Sequence, residues 1–199
     1  ESVETTDVDT PADWVAITCM TASAPRAYEI ADAFRRRGIP VVIGGIHPTA
    51  MSDEVLSYNH IDLVIRGEGE KPLVDLYKCI KQGRDYTHIP NLSYRRDGRV
   101  IHNNILPPLM DIDSLPPFPY HLFDPKKYDL GFVLGSRGCP YNCIFCSNRV
   151  ITGKKYRFRS AVVIEQELSL LNRKYGRNFI LFLDDNFMVD KNRVYALIE

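Results

Sequence analysis

Between Trp14 and Gly83 the apolar positions follow two alternating rhythms. Short unbroken runs, Trp14–Met20, Pro40–Gly45 and Asp62–Arg66, read as buried strands. Between them, Ala27, Ile30, Ala31 and Phe34 fall on one helix face, as do Leu73, Leu76, Tyr77 and Ile80. Ser23 is placed to cap the first helix, Gly38 with Pro40 ends it, and Pro72 stands near the start of the second. A short helix is predicted near Asp53–Tyr58. Apolar strands alternating with amphipathic helices predict a parallel sheet with helices on its faces.

The rhythm then breaks. Asn91–Tyr94 and Arg99–His102 flank Asp97-Gly98, a hairpin signal. Six of the thirteen prolines follow between Pro107 and Pro125, a density that predicts a semi-rigid linker. From Asp129 the alternation resumes. Asp129–Leu134 reads as a strand, and Ile164, Leu168, Leu171 and Tyr175 as a helix face, with Ser160 as cap and Gly176 past its end. Phe179–Leu183 reads as a second buried strand closing on Asp184-Asp185, and another helix begins near Lys191. Such a strand–helix–strand–helix series opens a parallel barrel or an open α/β sheet. The expected organisation is an α/β unit over 1–85, a hairpin and proline-rich linker over 86–128, and a second α/β unit over 129–199. The first residue is Glu1 and the last falls inside a helical pattern, so both ends read as cuts. The piece is expected to show no turnover by itself, because two strand–helix units cannot enclose a substrate.

Charge narrows the choice of partner. Twenty-five basic and twenty-five acidic residues leave no net charge, which gives no general argument for nucleic acid or an anionic membrane as a partner, and nucleic acid is not expected. Arg149, Lys154, Lys155, Arg157 and Arg159 with Tyr156 and Phe158 form a local basic run that reads first as a solvated face. No apolar run approaches the length of a membrane span, and no basic-then-apolar leader pattern opens the chain. A cytoplasmic location is expected.

The candidate chemistry lies in Gly138-Cys139-Pro140-Tyr141-Asn142-Cys143-Ile144-Phe145-Cys146. Three of the five cysteines fall here, spaced C-x3-C-x2-C after a predicted strand. Thiolates favour zinc or iron–sulfur clusters. A closed zinc site needs a fourth ligand, and His121 is a candidate without finger-like spacing. A Cys143–Cys146 redox pair leaves Cys139 unexplained. A cluster held by three cysteines leaves one iron open. Zinc, cluster and redox readings all remain at this point.

The motif resembles the radical S-adenosylmethionine (radical SAM) signature, down to the aromatic residue before the last cysteine. The resemblance implies that Cys139, Cys143 and Cys146 ligate a [4Fe–4S] cluster whose fourth iron takes S-adenosylmethionine. It implies reductive cleavage of that molecule to a 5′-deoxyadenosyl radical, with electrons from a donor such as flavodoxin or ferredoxin. Backbone near Phe145 would lie against the adenine. Asp184 or Asp185 would hold the methionine amino group. Arg157 and Arg159 alternate along Tyr156-Arg157-Phe158-Arg159, so both point to one side of an extended segment, placed to meet the methionine carboxylate or, with the rest of the basic run, to form a nucleic-acid patch.

Three further elements, Thr18-Cys19-Met20, Gly44-Gly45-Ile46-His47-Pro48-Thr49 and Gly67-Glu68-Gly69-Glu70, end the three predicted strands. Glycines there admit a large ligand to the backbone. Combined with the cysteine motif, these elements are similar to the cobalamin-binding domain that precedes many radical SAM enzymes. The likeness assigns Thr18, Met20, Gly44, Gly45, Gly67 and Glu68 to cobalamin. It implies a Rossmann-like cobalamin domain, incomplete at its N-terminal side, followed by the first units of a partial (β/α) barrel. An Asp-x-His-x-x-Gly motif is absent, so His47 reads as a turn histidine rather than a cobalt ligand. Many members of the fused family hold cobalamin without a protein imidazole. Cys19 and Cys79 stand alone and cannot supply the second cluster of the tRNA methylthiotransferases. Methyl transfer to an unreactive centre, or oxidative cyclisation of a small molecule, is the expected activity. The alternatives are a radical SAM enzyme whose first domain only docks or supports, and a non-enzymatic zinc module.

Overall fold

The computed structural model describes residues 7–198, without the side chains of Arg149 and Val150, so Arg149 of the basic run falls outside it. It divides into two compact units that meet between Pro107 and Pro108.

In the first unit, β1 (Val15–Thr18), β2 (Val41–Gly44) and β3 (Leu63–Ile65) are parallel neighbours. The helices α1 (Ala24–Arg36), α2 (Ile46–Ala50), α3 (Ser52–Ser57) and α4 (Glu70–Lys81) alternate with them. The pleat sends successive side chains to opposite faces. Val41, Ile43 and Val64 accordingly join one core with Ala27, Ala31, Phe34, Val55 and Leu56. Val42, Leu63 and Ile65 join another core with Leu76, Cys79 and Leu92. Helices thus cover both faces of a sheet buried on both sides, as the unbroken apolar runs require. Each fully buried aliphatic side chain there contributes about 1.5–3 kcal/mol.

The hairpin is part of this sheet rather than of a linker. Strand β4 (Leu92–Arg96) pairs antiparallel with β3, and β5 (Arg99–His102) with β4. Its turn has positive φ at Asp97 (51°) and Gly98 (72°), which matches the twist of paired strands. A sheet edge at β3 would leave its amides and carbonyls unpaired, and the hairpin satisfies them.

In the second unit β6 (Phe132–Val133) runs into β7 (Ser136–Arg137), and α5 (Asn148–Ile151) follows the cysteine loop. Strand β8 (Arg157–Phe158) pairs antiparallel with β7. Helix α6 (Ala161–Tyr175) leads to β9 (Leu181–Phe182), which pairs parallel with β6, and then to α7 (Lys191–Ile198). Ser160 caps α6 by accepting from the Val163 N–H, and Gly176 ends it at φ 65°. Phe179–Leu183, expected to be a buried strand, is covered on one side only. Ile180 and Phe182 pack on the core of Tyr120, Leu130, Val133 and Leu171, while Phe179, Leu181 and Leu183 stay more than half exposed.

The proline-rich stretch from Pro108 to Pro125 is built into this unit. Tyr120 is buried in the core, and its hydroxyl donates to Glu167, which also pairs with Arg159. Burial, then the Glu167 hydrogen bond, raises the Tyr120 pKa. Asp113 accepts from the Ser160 N–H at 3.0 Å. The stretch is therefore a strap fastened by side chains, not a free spacer.

Candidate functional site

The C-terminal edge of the first sheet gathers the residues expected to meet a large ligand. Thr18 lies in register with Gly44 at the ends of β1 and β2. Gly45 has φ 102°, and a Cβ there would lie 2.7 Å from Thr18 Oγ1 and 2.8 Å from the Cys19 carbonyl oxygen, so only glycine fits. Gly67 also has positive φ, at 70°. Met20, Ile46, Met51 and Ile105 are exposed apolar groups of the same unit.

A side chain that the sequence reading passed over links the two glycine turns. Thr49 Oγ1 donates to the Gly45 carbonyl oxygen at 2.7 Å and accepts from the Gly67 N–H at 2.9 Å. Buried Asn91 braces the second turn, donating to the Arg66 carbonyl at 2.7 Å and accepting from the Leu106 N–H at 2.8 Å. Glu68, next in the turn, is half-buried. The signal was available in the threonine four residues after a glycine pair, at the spacing that folds a side chain back on one helical turn.

His47 is 5% exposed, and its Nε2 lies 2.7 Å from the Tyr28 hydroxyl. The ring is thus held inside the unit, on helix α2 rather than in the turn that the sequence suggested. Burial pushes the Tyr28 phenol up to about 12, with Glu54 adding to it. Cys19 and Cys79 are buried free thiols, and burial raises the Cys19 pKa.

In the second unit the three cysteines are free thiols on one loop. Cys143 is exposed, and Cys139 and Cys146 are partly exposed. Cys139 is tied down: its N–H donates to the Gly153 carbonyl at 3.3 Å. The Cys146 N–H closes a turn on the Cys143 carbonyl at 3.2 Å. Ile144 and Phe145 project into solvent, at 99% and 89% exposure. Among the described residues no three His, Cys, Asp or Glu side chains are already gathered as a metal-holding group. The donor chemistry nevertheless fits a cluster: three soft ligands, none in a disulfide, on a solvent-facing loop.

The residues expected to bind S-adenosylmethionine through charge are engaged elsewhere. Arg157 is 2% exposed and donates to the carbonyls of Leu109 at 2.8 Å and Thr152 at 3.0 Å. A buried guanidinium needs acceptors, and these carbonyls supply them. Arg159 pairs with Glu167. The Asp184 carboxylate is wholly buried and paired with Arg193 at 2.9 Å. Arg193, which the sequence reading did not single out, also donates to the Tyr156 hydroxyl at 2.8 Å and lies 5.0 Å from the Phe187 ring centroid. Asp185 accepts from the backbone of the cysteine loop.

A parallel sheet edge rich in glycine turns, followed by a strand–loop–helix unit bearing three free thiols, defines a two-unit α/β protein of the cofactor-binding kind. Comparison with known proteins agrees unit by unit. The B12 binding domain model matches residues 1–77 and the radical SAM superfamily model matches residues 133–199. The chain belongs to the B12-binding-domain radical SAM family.

It is 36% identical to an uncharacterized methyltransferase of Pyrococcus horikoshii, over 91% of this chain and 41% of that protein. It is 28% identical to the anaerobic magnesium-protoporphyrin IX monomethyl ester cyclase of Rubrivivax gelatinosus, over 92% of this chain and 35% of that protein. The chain thus spans well under half the length of these relatives. Its fold matches that of OxsB, a cobalamin-dependent S-adenosylmethionine radical enzyme solved with aqua-cobalamin and S-adenosylmethionine bound. The TM-score is 0.79 at 21% identity, covering 96% of this chain and 28% of OxsB. Among the described residues no helix is long and apolar enough to cross a membrane.

Proposed function

We propose that this chain is the cofactor-binding part of a cobalamin-dependent radical SAM enzyme acting on a small molecule. When bound, a [4Fe–4S] cluster with S-adenosylmethionine supplies a 5′-deoxyadenosyl radical, and cobalamin supplies methyl transfer or assists oxidative cyclisation. The observation that carries the reading is the single loop with three free thiols at C-x3-C-x2-C spacing, which follows the parallel strand β6 by way of the short β7.

The protein's own residues have distinct tasks. Cys139, Cys143 and Cys146 would hold the iron–sulfur cluster through their three thiolates. Phe145, solvent-facing beside the last ligand, gives the adenine an apolar contact. Thr18, Met20, Gly44, Gly45, Gly67 and Glu68 form the cobalamin edge, with Thr49 holding the two glycine turns at a fixed spacing. Arg157 supports the loop from within. An electron donor such as flavodoxin or ferredoxin and a cytoplasmic location complete the reading.

Two measurements on the full-length protein test it. After anaerobic reconstitution, four irons and four sulfides per chain are expected, and they are lost in Cys143→Ala. Added S-adenosylmethionine is expected to shift the electron paramagnetic resonance spectrum of the reduced cluster. Zinc in place of iron, or a spectrum indifferent to the added molecule, refutes the radical reading. Failure to retain cobalamin through gel filtration refutes its cobalamin half alone.

A further inference from the structure

The residues after β9 present two adjacent carboxylates, and both turn onto the segment that carries Cys139. Asp184 accepts from the Gly135 N–H at 2.7 Å, the Ser136 N–H at 3.1 Å and the Ser136 hydroxyl at 2.7 Å. Asp185 Oδ2 accepts from the Gly138 N–H at 3.2 Å and from the Thr152 hydroxyl at 3.0 Å.

The positions of those two donors matter. Gly138 immediately precedes Cys139. Thr152 immediately precedes Gly153, whose carbonyl accepts from the Cys139 N–H. One carboxylate therefore ties the entry of the cysteine loop to the turn that ends α5, beside the residue that holds the first thiol. Gly138 is further confined by φ 83° and by the Lys155 carbonyl oxygen, which a Cβ would approach to 2.2 Å. Cys139 is thus constrained on both sides, while Cys143 lies exposed on the turn beyond it.

We propose that Asp185 is a positioning residue for the first cluster ligand. By joining Gly138 to Thr152 it makes Cys139 the fixed donor against which Cys143 and Cys146 close on the iron–sulfur cluster. The assignment rests on the cluster reading of this loop, and it gives Asp185 a task different from holding a ligand's amino group. An ionised acceptor bonds backbone N–H groups more strongly than a neutral one does. Residues that orient metal ligands in this way typically change metal affinity about 10- to 100-fold when replaced.

The test uses the full-length protein, reconstituted anaerobically with ferrous iron and sulfide, as wild type, Asp185→Ala and Asp185→Asn. Iron release to a strong chelator and the reduced-cluster resonance spectrum are the readouts, with circular dichroism melting as the fold control. Asp185→Ala is expected to load iron and then lose it about 10- to 100-fold faster than wild type, with an altered spectrum. Asp185→Asn keeps an acceptor oxygen and is expected to restore most of the retention. Iron release from Asp185→Ala at the wild-type rate with an unchanged spectrum overturns the assignment while leaving the cluster reading standing. A wild type that takes up no iron overturns the cluster reading itself and the assignment with it. If Asp185→Ala does not fold, Thr152→Val decides: it removes the tie to Asp185 and the hydroxyl's 3.2 Å bond to the Asn148 carbonyl, while the Thr152 N–H still holds that same carbonyl at 2.9 Å. Faster release from that variant supports the proposal, and a wild-type rate overturns it.

Discussion

Replacing Asp184 with alanine removes four hydrogen bonds at one stroke and strands a buried cation. The carboxylate is 0% exposed and its partner Arg193 is 2% exposed at the side chain. Removing one member of such a pair leaves the other uncompensated in a poorly solvated place, at a cost of about 3–5 kcal/mol. Arg193 keeps the Tyr156 hydroxyl and the Phe187 ring, which moves the expectation toward the lower end, about 3 kcal/mol. The mirror change is expected to cost less. Arg193→Met deletes one donor to Asp184, yet the carboxylate retains the Gly135 N–H, the Ser136 N–H and the Ser136 hydroxyl. A net charged hydrogen bond of this kind is worth about 1.5–3 kcal/mol. Since a domain's whole stability is about 5–15 kcal/mol, either loss is visible. Urea titration followed by peptide-resolved hydrogen exchange reads the effect where it should fall, in peptides spanning Val133–Arg137 and Leu181–Arg193. Exchange around β1–β3 serves as the internal control. A loss below about 1 kcal/mol for Asp184→Ala, or a larger loss for Arg193→Met than for Asp184→Ala, refutes the reasoning, because either result denies that the stranded charge dominates.

Three other expectations follow from the first unit. Thr49→Val leaves the Gly67 N–H without its acceptor, at about 1–3 kcal/mol, and should reduce cobalamin retention through gel filtration, while Thr49→Ser should keep it. Gly45→Ala places a side chain at φ 102° against Thr18 and Cys19 and should cost about 1–3 kcal/mol, seen as a lower melting temperature. The Tyr28 phenol is held up to about 12, above its unfolded value, so the folded state keeps a proton that the unfolded state has already lost. Stability from this group is present below about pH 10 and falls as pH rises toward 12, and Tyr28→Phe should flatten that fall in urea titrations across the window.

Much of the first sheet was legible because its signals are local. The apolar runs placed β1, β2 and β3, and Asp97-Gly98 placed the hairpin turn. The attachment of that hairpin to β3 was not legible, because which edge a hairpin joins depends on amides far away in sequence. Ser23 shows the limit of cap signals: its hydroxyl accepts from the Met20 N–H at 3.1 Å, serving a preceding turn instead of α1. The place of the cysteine loop after a short strand was legible from the sequence, whereas spacing alone left its chemistry open. The backbone donors to Asp184 and Asp185 were not legible, since Gly135, Ser136 and Gly138 lie 47 to 49 residues away in the chain. A hint existed in Gly135-Ser136-Arg137-Gly138: a strand this short leaves backbone N–H groups that must find acceptors elsewhere. Arg157 was expected to face a ligand by strand alternation. Alternation fixes the side of the strand, not whether that side is solvent or protein.

The strap from Pro108 to Pro125 has a consequence for recombination. Tyr120 and Asp113 belong to the folded body that follows them, so the natural seam for gene fusion lies at Pro107-Pro108 and not after the last proline. A chimaera joined at residue 129 would take Tyr120 from a foreign parent and ask it to fill a hole shaped by Leu130, Val133 and Leu171. One joined at residue 108 would inherit plug and socket together. Lineages that exchange the front half of this chain should therefore keep the prolines with the cysteines.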